Sequence, residues 1–237
     1  MRRTSGIVVA VMAVATLTAS RSFAQEQPQS GGWQDSAAYV TGLGGFQAAT
    51  GSTTGDLLIE GGVRVAPHVM VFGDLGWFRS LQADLNGSLN NTVASLQNTQ
   101  GLGVTATGTL PAVYSIGGVR VEIPGSNLFL PYVFGGAGAA HLSPTQQFSF
   151  SSGTMPDGSS PTVGQDVTSN LTTIGLLTPT PSSTAFMYTV GGGVLVPVAS
   201  RWVIDAAYRY SRIAADSTLS ASPLSTNGMT FGLGYRF

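Results

Sequence analysis

The last nine residues of the chain alternate strictly between large apolar side chains and small or polar ones. The large apolar side chains stand at every second position: Met229, Phe231, Leu233, Tyr235 and Phe237. Because successive side chains of a β-strand point to opposite faces, this pattern predicts a strand with one apolar face and one small or polar face. The final residue is itself aromatic, so no polar tail is present to shield that face from water. We therefore expect the apolar face to contact lipid.

The composition fits a membrane protein that does not cross the membrane with helices. Charged residues make up 9% of the sequence, whereas soluble domains carry about 25%. After the N-terminal segment, no run of roughly 18 apolar residues occurs that could form a membrane-spanning helix. High apolarity without long apolar runs is typical of strands whose lipid-facing residues alternate with interior ones.

The first residues have the pattern of an export signal. Two arginines precede an apolar segment over residues 6–19, and a small-x-small motif follows it. We expect cleavage between Ala24 and Gln25, so that residues 1–24 are a signal peptide and residues 25–38 a short periplasmic lead-in. The apolar segment is too short for a permanent membrane anchor.

Eight segments are predicted to be strands, most of them roughly ten to fourteen residues long, which is enough for a tilted strand to cross a bilayer. They cover residues 39–47, 56–66, 68–78, 109–123, 128–141, 185–196, 201–212 and 227–237. The predicted fold is all-β: a transmembrane antiparallel up-and-down β-barrel of eight strands within residues 39–237. A soluble eight-stranded barrel is the alternative, but its outer face would need many charged residues, which this chain lacks.

The connections between the predicted strands alternate between short and long. Three are tight turns, and the other four are rich in Ser, Thr, Asn, Gln and Gly. The long connections cover residues 48–55, 79–108, 142–184 and 213–226. This alternation predicts short periplasmic turns and long, structureless extracellular loops, with both termini on the periplasmic side.

Charged side chains fall on the strand face opposite to the apolar one. They are Glu60, Asp74, Glu122 and Asp205 together with Arg64, Arg120, Arg209 and Arg236. An eight-stranded barrel is just wide enough for side chains to fill its interior, and an isolated buried charge is very costly. Four acids and four arginines therefore predict an ion-pair network that plugs the lumen, with a catalytic cluster or a proton path as the alternative. For the Gly-rich first and fifth strands, the sequence does not decide which face is inward.

Aromatic residues lie near both ends of the predicted strands. Those near the loop side are Trp77, Phe78, Phe186, Tyr188, Tyr208 and Tyr210. Those near the turn side are Phe129, Trp202, Tyr235 and Phe237. Two such girdles are typical of transmembrane barrels, because amphipathic rings prefer the boundary between hydrocarbon and water.

No metal ion, cofactor or nucleic acid is expected to bind. The chain has no cysteine, which excludes thiolate ligands and disulfides. Five acidic residues fall in or next to the connections without the spacing of a calcium loop: Asp56, Asp84, Asp157, Asp166 and Asp216. After removal of the signal peptide, seven arginines face eleven acidic residues, and a net acidic chain does not favour a phosphate backbone.

Three segments resemble the OmpA/opacity-type family of eight-stranded outer-membrane β-barrels. They are Leu130-Pro-Tyr-Val-Phe-Gly-Gly-Ala-Gly-Ala-Ala140, Ser115-Ile-Gly-Gly-Val-Arg120 and Gly234-Tyr-Arg-Phe237. The resemblance covers about residues 39–237 and implies a location in the bacterial outer membrane, in contact with its lipid and lipopolysaccharide. It also implies that the alternating last strand is read by the barrel-assembly machinery. Because no peptidoglycan-binding domain follows the barrel, tethering to the cell wall is not expected.

The resemblance implies a surface, adhesion or integrity role, exerted through loops that meet an unidentified ligand, and no enzymatic activity. A small porin is the first alternative. A hydrolase similar to the lipid A deacylases is the second, because His141 and Ser143 are spaced so that a base could reach a hydroxyl on one strand face. The deacylase residues that should follow the serine are absent, and no acidic partner is evident. His68, the other histidine, stands at a predicted turn.

Overall fold

The computed structural model describes residues 34, 36–49, 52–81, 85–124, 128–215 and 223–237. The predicted signal peptide, its cleavage site between Ala24 and Gln25 and most of the predicted lead-in lie outside the described residues. No described helix is both long enough and apolar enough to cross a membrane.

Eight antiparallel strands close into a barrel, which confirms the predicted fold. Strands are numbered along the whole chain, and β4 (Gly103–Thr109) and β7 (Thr145–Ser152) lie outside the barrel. The barrel strands are β1 (Ala38–Ala49), β2 (Ser52–Ala66), β3 (Val69–Phe78), β5 (Ala112–Glu122), β6 (Leu130–Leu142), β8 (Ser183–Pro197), β9 (Trp202–Ile213) and β10 (Leu224–Arg236). Around the wall the order is β1, β10, β9, β8, β6, β5, β3 and β2, and β2 pairs again with β1. The last strand closes the barrel on the first, from Tyr39 opposite Arg236 to Ala49 opposite Thr226.

The barrel has two different ends, which we name by what they carry. The terminal end holds Ala38 and Phe237, whose backbones exchange hydrogen bonds of 2.8 and 2.9 Å. Its turn between β2 and β3 contains His68, whose φ of 61° lies in the left-handed region. The opposite end, here called the loop end, carries the long connections after β3 and β6.

The first connection at the loop end differs from the prediction. Residues 48–55 are predicted to be a long loop, but β1 continues to Ala49 and β2 begins at Ser52, directly opposite it. The polar residues that suggested a loop include Thr53 and Thr54, and β-branched threonine packs well on a pleated surface. The side chain of Thr54 is buried inside the barrel, so Thr54 is an interior residue of a strand and not a loop residue.

Side chains alternate in exposure along every barrel strand. In β2, Leu57 and Ile59 are 61% and 62% exposed, whereas Leu58 between them is 2% exposed. The structure also settles the two strands that the sequence left open: Tyr39 and Leu43 of β1, and Leu130, Tyr132 and Phe134 of β6, point inward. Phe78, predicted as a girdle residue, is instead buried in the lumen against Tyr114, with ring centroids 4.8 Å apart.

The two longest connections are not structureless loops but fold together into a cap. It consists of α1 (Leu85–Gln100), β4 (Gly103–Thr109), β7 (Thr145–Ser152) and α2 (Thr168–Thr173). β4 and β7 pair as a two-stranded sheet, so the connection after β3 is joined to the connection after β6. A separate apolar cluster fills the cap: Leu89, Leu96, Leu102, Val104, Phe148, Phe150, Met155, Val167 and Leu171.

The cap core explains why the polar composition of these connections was misleading. Leu89, Val93 and Leu96 follow one another at spacings of four and three residues, which places them on one face of α1. Phe148 and Phe150 share one face of β7 by the period of two. These few apolar residues are enough to order segments whose other side chains are mostly hydroxyls and amides.

We expect the variant Phe148→Ala to loosen the cap and leave the barrel intact. The Phe148 side chain is fully buried in the cap core, and loss of such a ring costs about 3–5 kcal/mol. Hydrogen exchange should rise across residues 85–109 and 145–173, while the folded barrel keeps its shifted mobility on an unheated gel. The control is Val163→Ala in the same connection, where the side chain is 77% exposed. Equal exchange in both variants would contradict a packed cap.

Candidate functional site

The eight charged residues predicted to face inward all lie on the inner wall. They come from five strands: Glu60 and Arg64 from β2, Asp74 from β3, Arg120 and Glu122 from β5, Asp205 and Arg209 from β9, and Arg236 from β10. Seven of them are at most 4% exposed as whole residues. Arg64 is the exception, with an 18% exposed side chain near the terminal end.

The largest cluster lies near the middle of the lumen. Nη1 of Arg209 donates to Oδ2 of Asp74 at 2.6 Å, and its Nη2 lies 3.4 Å from Oε2 of Glu60. Arg120 donates to the other oxygen of Glu60, and its Nη2 lies 3.7 Å from Oδ2 of Asp205. Glu60 and Asp74 stand directly opposite each other on β2 and β3, so Arg209 is paired with two neighbouring like charges at once.

A second cluster lies nearer to the terminal end and is centred on Glu122. Its Oε1 accepts a hydrogen bond of 2.7 Å from Nη2 of Arg236, and its Oε2 accepts one of 3.1 Å from Nη2 of Arg64. Nε of Arg64 donates to the carbonyl oxygen of Ser36, just before β1, at 3.1 Å. This cluster therefore links the first residues of the barrel to the last strand.

The ion pairs cross the lumen instead of following the wall. None of the six ion pairs among the described residues joins two neighbouring strands. Arg209 and Asp74 belong to strands that are four places apart in the circle of eight, and so do Arg236 and Glu122. Both pairs therefore connect opposite walls.

Aromatic side chains complete the central cluster. The hydroxyl of Tyr39 donates to Oε1 of Glu60 at 2.5 Å, and that of Tyr132 donates to Oδ1 of Asp205 at 2.5 Å. The guanidinium carbon of Arg120 lies 4.0 Å from the centre of the Tyr132 ring and 4.7 Å from that of Tyr39. Arg120 is thus enclosed by two carboxylates and two aromatic faces, which replace water around its charge.

Inward glycines make room for these rings. A Cβ atom added to Gly62 would lie 2.5 Å from the ring of Tyr39, and one added to Gly193 would lie 2.7 Å from the hydroxyl oxygen of Tyr132. Any larger residue at either position would displace an aromatic ring that holds a carboxylate. The abundance of glycine within the strands therefore has a packing function here, besides its role in turns.

One charged lumen residue was missing from the predicted set of inward charges. Asp56, predicted as the first residue of the second strand but counted among the acids in or next to the connections and not among the inward charges, lies in β2 and is 4% exposed inside the loop end of the barrel. Its Oδ1 accepts a hydrogen bond of 2.9 Å from the hydroxyl of Tyr114, and its Oδ2 accepts one from Nε2 of Gln47. The parity of positions 56 and 60 places both on one strand face, and this signal could have identified Asp56 as an inward residue.

Among the described residues, no hydrogen bond joins the histidine and the serine of the hydrolase hypothesis. Nδ1 of His141 lies 2.9 Å from the hydroxyl oxygen of Thr184 on the neighbouring strand β8. Ser143 follows the end of β6, and its backbone N–H donates to the carbonyl oxygen of Pro111 at 3.0 Å. In the part of the chain that the structure describes, no group of three or more His, Cys, Asp or Glu residues could hold a metal ion.

The cap is acidic at two described positions. Hydrogen bonds from the hydroxyl and the backbone N–H of Ser159, at 2.6 and 2.9 Å, hold the pKa of the Asp157 carboxyl below its usual value. Hydrogen bonds from Thr168, whose backbone N–H donates at 2.9 Å, do the same for the pKa of Asp166. No lysine, arginine or histidine occurs in residues 80–111 or 143–182. At neutral pH the cap therefore has no positive charge of its own.

We expect Arg209→Met to lower the free energy of unfolding by about 3–5 kcal/mol, because it leaves Asp74 as a buried, uncompensated charge. Urea unfolding in detergent micelles measures the loss. The double variant Arg209→Met with Asp74→Leu should recover most of it, since both charges are then gone. In the control Arg64→Met the partner Glu122 keeps Arg236, so a loss of about 1 kcal/mol is expected. A loss at Arg209 no larger than that at Arg64 would contradict the network.

We expect Tyr114→Phe to lower the free energy of unfolding by about 1–3 kcal/mol, because Asp56 then loses one of its two hydrogen-bond donors. The ring and its packing on Phe78 remain. Tyr208→Phe is the matched control, because that tyrosine faces outward and is 49% exposed. The same urea series measures both variants, and equal stability would show that Asp56 does not depend on the hydroxyl.

Comparison with known proteins gives the family. The model of the outer membrane protein beta-barrel domain matches residues 7–237. Solved structures with a similar fold include a major outer membrane protein of Thermus thermophilus, 12% identical with a TM-score of 0.49, covering 85% of this chain and 100% of that chain. Neisserial surface protein A is 14% identical with a TM-score of 0.48, and covers 85% and 98%.

A third solved structure is Ail, the attachment invasion locus protein of Yersinia pestis, which is 15% identical with a TM-score of 0.43 and covers 85% of this chain and 97% of its own. The search of curated proteins finds no match. Because the family model spans almost the whole sequence, the chain belongs to the outer membrane protein β-barrel domain family.

Proposed function

We propose that this protein is a closed, non-enzymatic barrel of the bacterial cell surface, which supports the envelope or makes surface contacts through its cap. The family points to the bacterial outer membrane. The observation that carries the proposal is the set of ion pairs that cross the lumen between opposite walls. A barrel filled in this way does not serve as a passage for solutes. It serves as a structural part of the envelope that displays its loop end.

The lumen plug follows from the width of the barrel and the cost of its charges. Ion conduction needs a continuous water path, whereas Arg120 and Arg209 are 1% exposed and hold carboxylates of three strands. Breaking one such pair leaves an unpaired charge in a dry interior, at a cost of about 3–5 kcal/mol. The small porin, as the alternative function, would need these pairs to separate in the resting state.

The cap supports a contact role. Long loops without internal structure would lose conformational entropy on binding, whereas a cap with its own apolar core presents a preformed surface. That surface is built from hydroxyls, amides and two ionised aspartates. It suits a neutral or cationic partner. That partner is the unidentified surface ligand of the proposal.

Export and assembly complete the proposal. Cleavage between Ala24 and Gln25 would release the mature chain, and the apolar face of β10 would be read by the barrel-assembly machinery. That face is on the outer wall: Phe231 and Leu233 are 56% and 51% exposed. A lipid hydrolase is not favoured, because the ring of His141 contacts Thr184 and not Ser143.

We expect the purified wild-type barrel to show no steady open channel in a planar lipid bilayer. A triple variant, Glu60→Ala with Arg120→Ala and Arg209→Ala, removes the central crossing pairs and should leak ions. Shifted mobility on an unheated gel shows that each protein is folded before it is recorded. Stable unitary currents from the wild type would overturn the plug and support the porin.

A further inference from the structure

The described arginines divide into three groups by position. Four lie in the lumen, and Arg201 lies in the turn before β9 at the terminal end. The remaining two, Arg79 and Arg212, are exposed at the loop end. Arg212 belongs to β9, where it shares the outward face with Tyr208 and Tyr210. It therefore projects from the side of the barrel, and not into the lumen or the cap core.

Arg212 stands between two side chains that carry hydroxyl groups. In the register of the wall, Tyr188 of β8 lies directly opposite Arg212 on one side, and Ser225 of β10 lies opposite it on the other. Antiparallel neighbours of this kind have their Cβ atoms about 5 Å apart. The hydroxyl of Tyr210 donates to Oγ of Ser225 at 3.4 Å, which orients the serine. The row presents one guanidinium and two hydroxyls to the outside.

The outer face of β9 becomes more polar toward this row. Ile204 lies between Val196 and Leu233, and two rows further along, Tyr208 lies between Gly192 and Met229. The next row places Tyr210 between Val190 and Asn227, and the row of Arg212 follows it. A tilted strand crosses the hydrocarbon core with about ten residues, which is the separation of Trp202 and Arg212. With Trp202 at the opposite boundary, as the predicted girdle has it, Arg212 falls at the level of the lipid headgroups.

The charge of Arg212 is not neutralised by the described protein. No carboxylate in the described part of the chain lies within 4 Å of it, and the outward faces of β8, β9 and β10 hold no acidic residue. A guanidinium group beside hydrocarbon gains most from an anion that can accept two parallel hydrogen bonds. Phosphate has that geometry, and hydroxyls on either side can add further hydrogen bonds.

We propose that Arg212, with Tyr188 and Ser225, binds the phosphate group of a membrane lipid at the loop end of the barrel. The lipid is favoured over a dissolved anion for two reasons. The row faces outward from the side of the barrel, in line with side chains that face lipid. The cap above it has no basic residue and keeps Asp157 and Asp166 ionised, so it does not attract soluble anions.

Arg79 provides a comparison within the same molecule. It is also exposed and at the loop end, directly after β3, and its backbone N–H donates to the carbonyl oxygen of Gly55 at 3.0 Å. Its neighbour on β2 is therefore a glycine, which offers no hydroxyl. A phosphate at Arg79 would be held by charge alone, and exposed charge alone contributes little. A comparison of Arg212 with Arg79 therefore distinguishes binding at a site with flanking hydroxyls from general charge attraction.

The test uses the full folded barrel in dodecylmaltoside micelles, titrated with dilauroylphosphatidic acid and followed by native mass spectrometry. We expect Arg212→Gln to weaken binding of the first lipid about tenfold or more, because it removes charge-assisted hydrogen bonds. Arg79→Gln should change it less than about twofold. Arg212→Lys keeps the charge without the planar fork and should fall between them. Shifted mobility on an unheated gel confirms that each variant is folded.

Three outcomes would overturn the proposal. Unchanged lipid binding in Arg212→Gln would show that the row is not a site. Equal losses in Arg212→Gln and Arg79→Gln would show general charge attraction. Displacement of the lipid by inorganic phosphate at the same concentration would show a site for free anions. Each of these is independent of the conductance measurement, so the lipid site and the lumen plug fail or hold separately.

Discussion

A guanidinium group enclosed by an eight-stranded barrel has almost no water around it, so its charge has to be neutralised by carboxylates inside the barrel. In this protein that requirement is met by pairs such as Arg209 with Asp74 and Arg236 with Glu122, which join strands on opposite sides. The inward charged side chains of these strands are paired with one another inside the barrel, and the outward face is mostly occupied by apolar side chains. The pairs also connect the opposite walls of the closed sheet to each other.

The remainder of the interior is arranged around these pairs. Tyr39 and Tyr132 donate to the same carboxylates, and glycines such as Gly62 and Gly193 leave the space that their rings occupy. The ion pairs, the tyrosine rings and the inward glycines therefore form one packing unit, and a change in any of them disturbs the other two. The cap is independent of this unit, because its own apolar cluster holds it together.

Most of the barrel was predictable from the sequence because alternation is a local signal. A period of two in segments such as 202–212 indicates both a strand and the direction of each side chain. The charged residues could be placed for the same reason. The pairs that they form depend on strand order and barrel width, which no local pattern contains. Asp56 was missed because the start of β2 is polar, and the structure shows that its polar residues face the lumen. The cap was missed because β4 and β7 are far apart in the sequence, with two barrel strands between them.

The central claim is that β10 turns its apolar residues toward lipid and its small or polar residues toward a filled lumen. The chain has no cysteine, so single spin labels can be introduced without background. Labels at Met229→Cys, Phe231→Cys and Leu233→Cys in lipid bilayers should collide freely with oxygen dissolved in the hydrocarbon, whereas a label at Thr230→Cys should not. Labels that respond equally at odd and even positions, or outward labels that respond to a water-soluble nickel complex, would contradict the account.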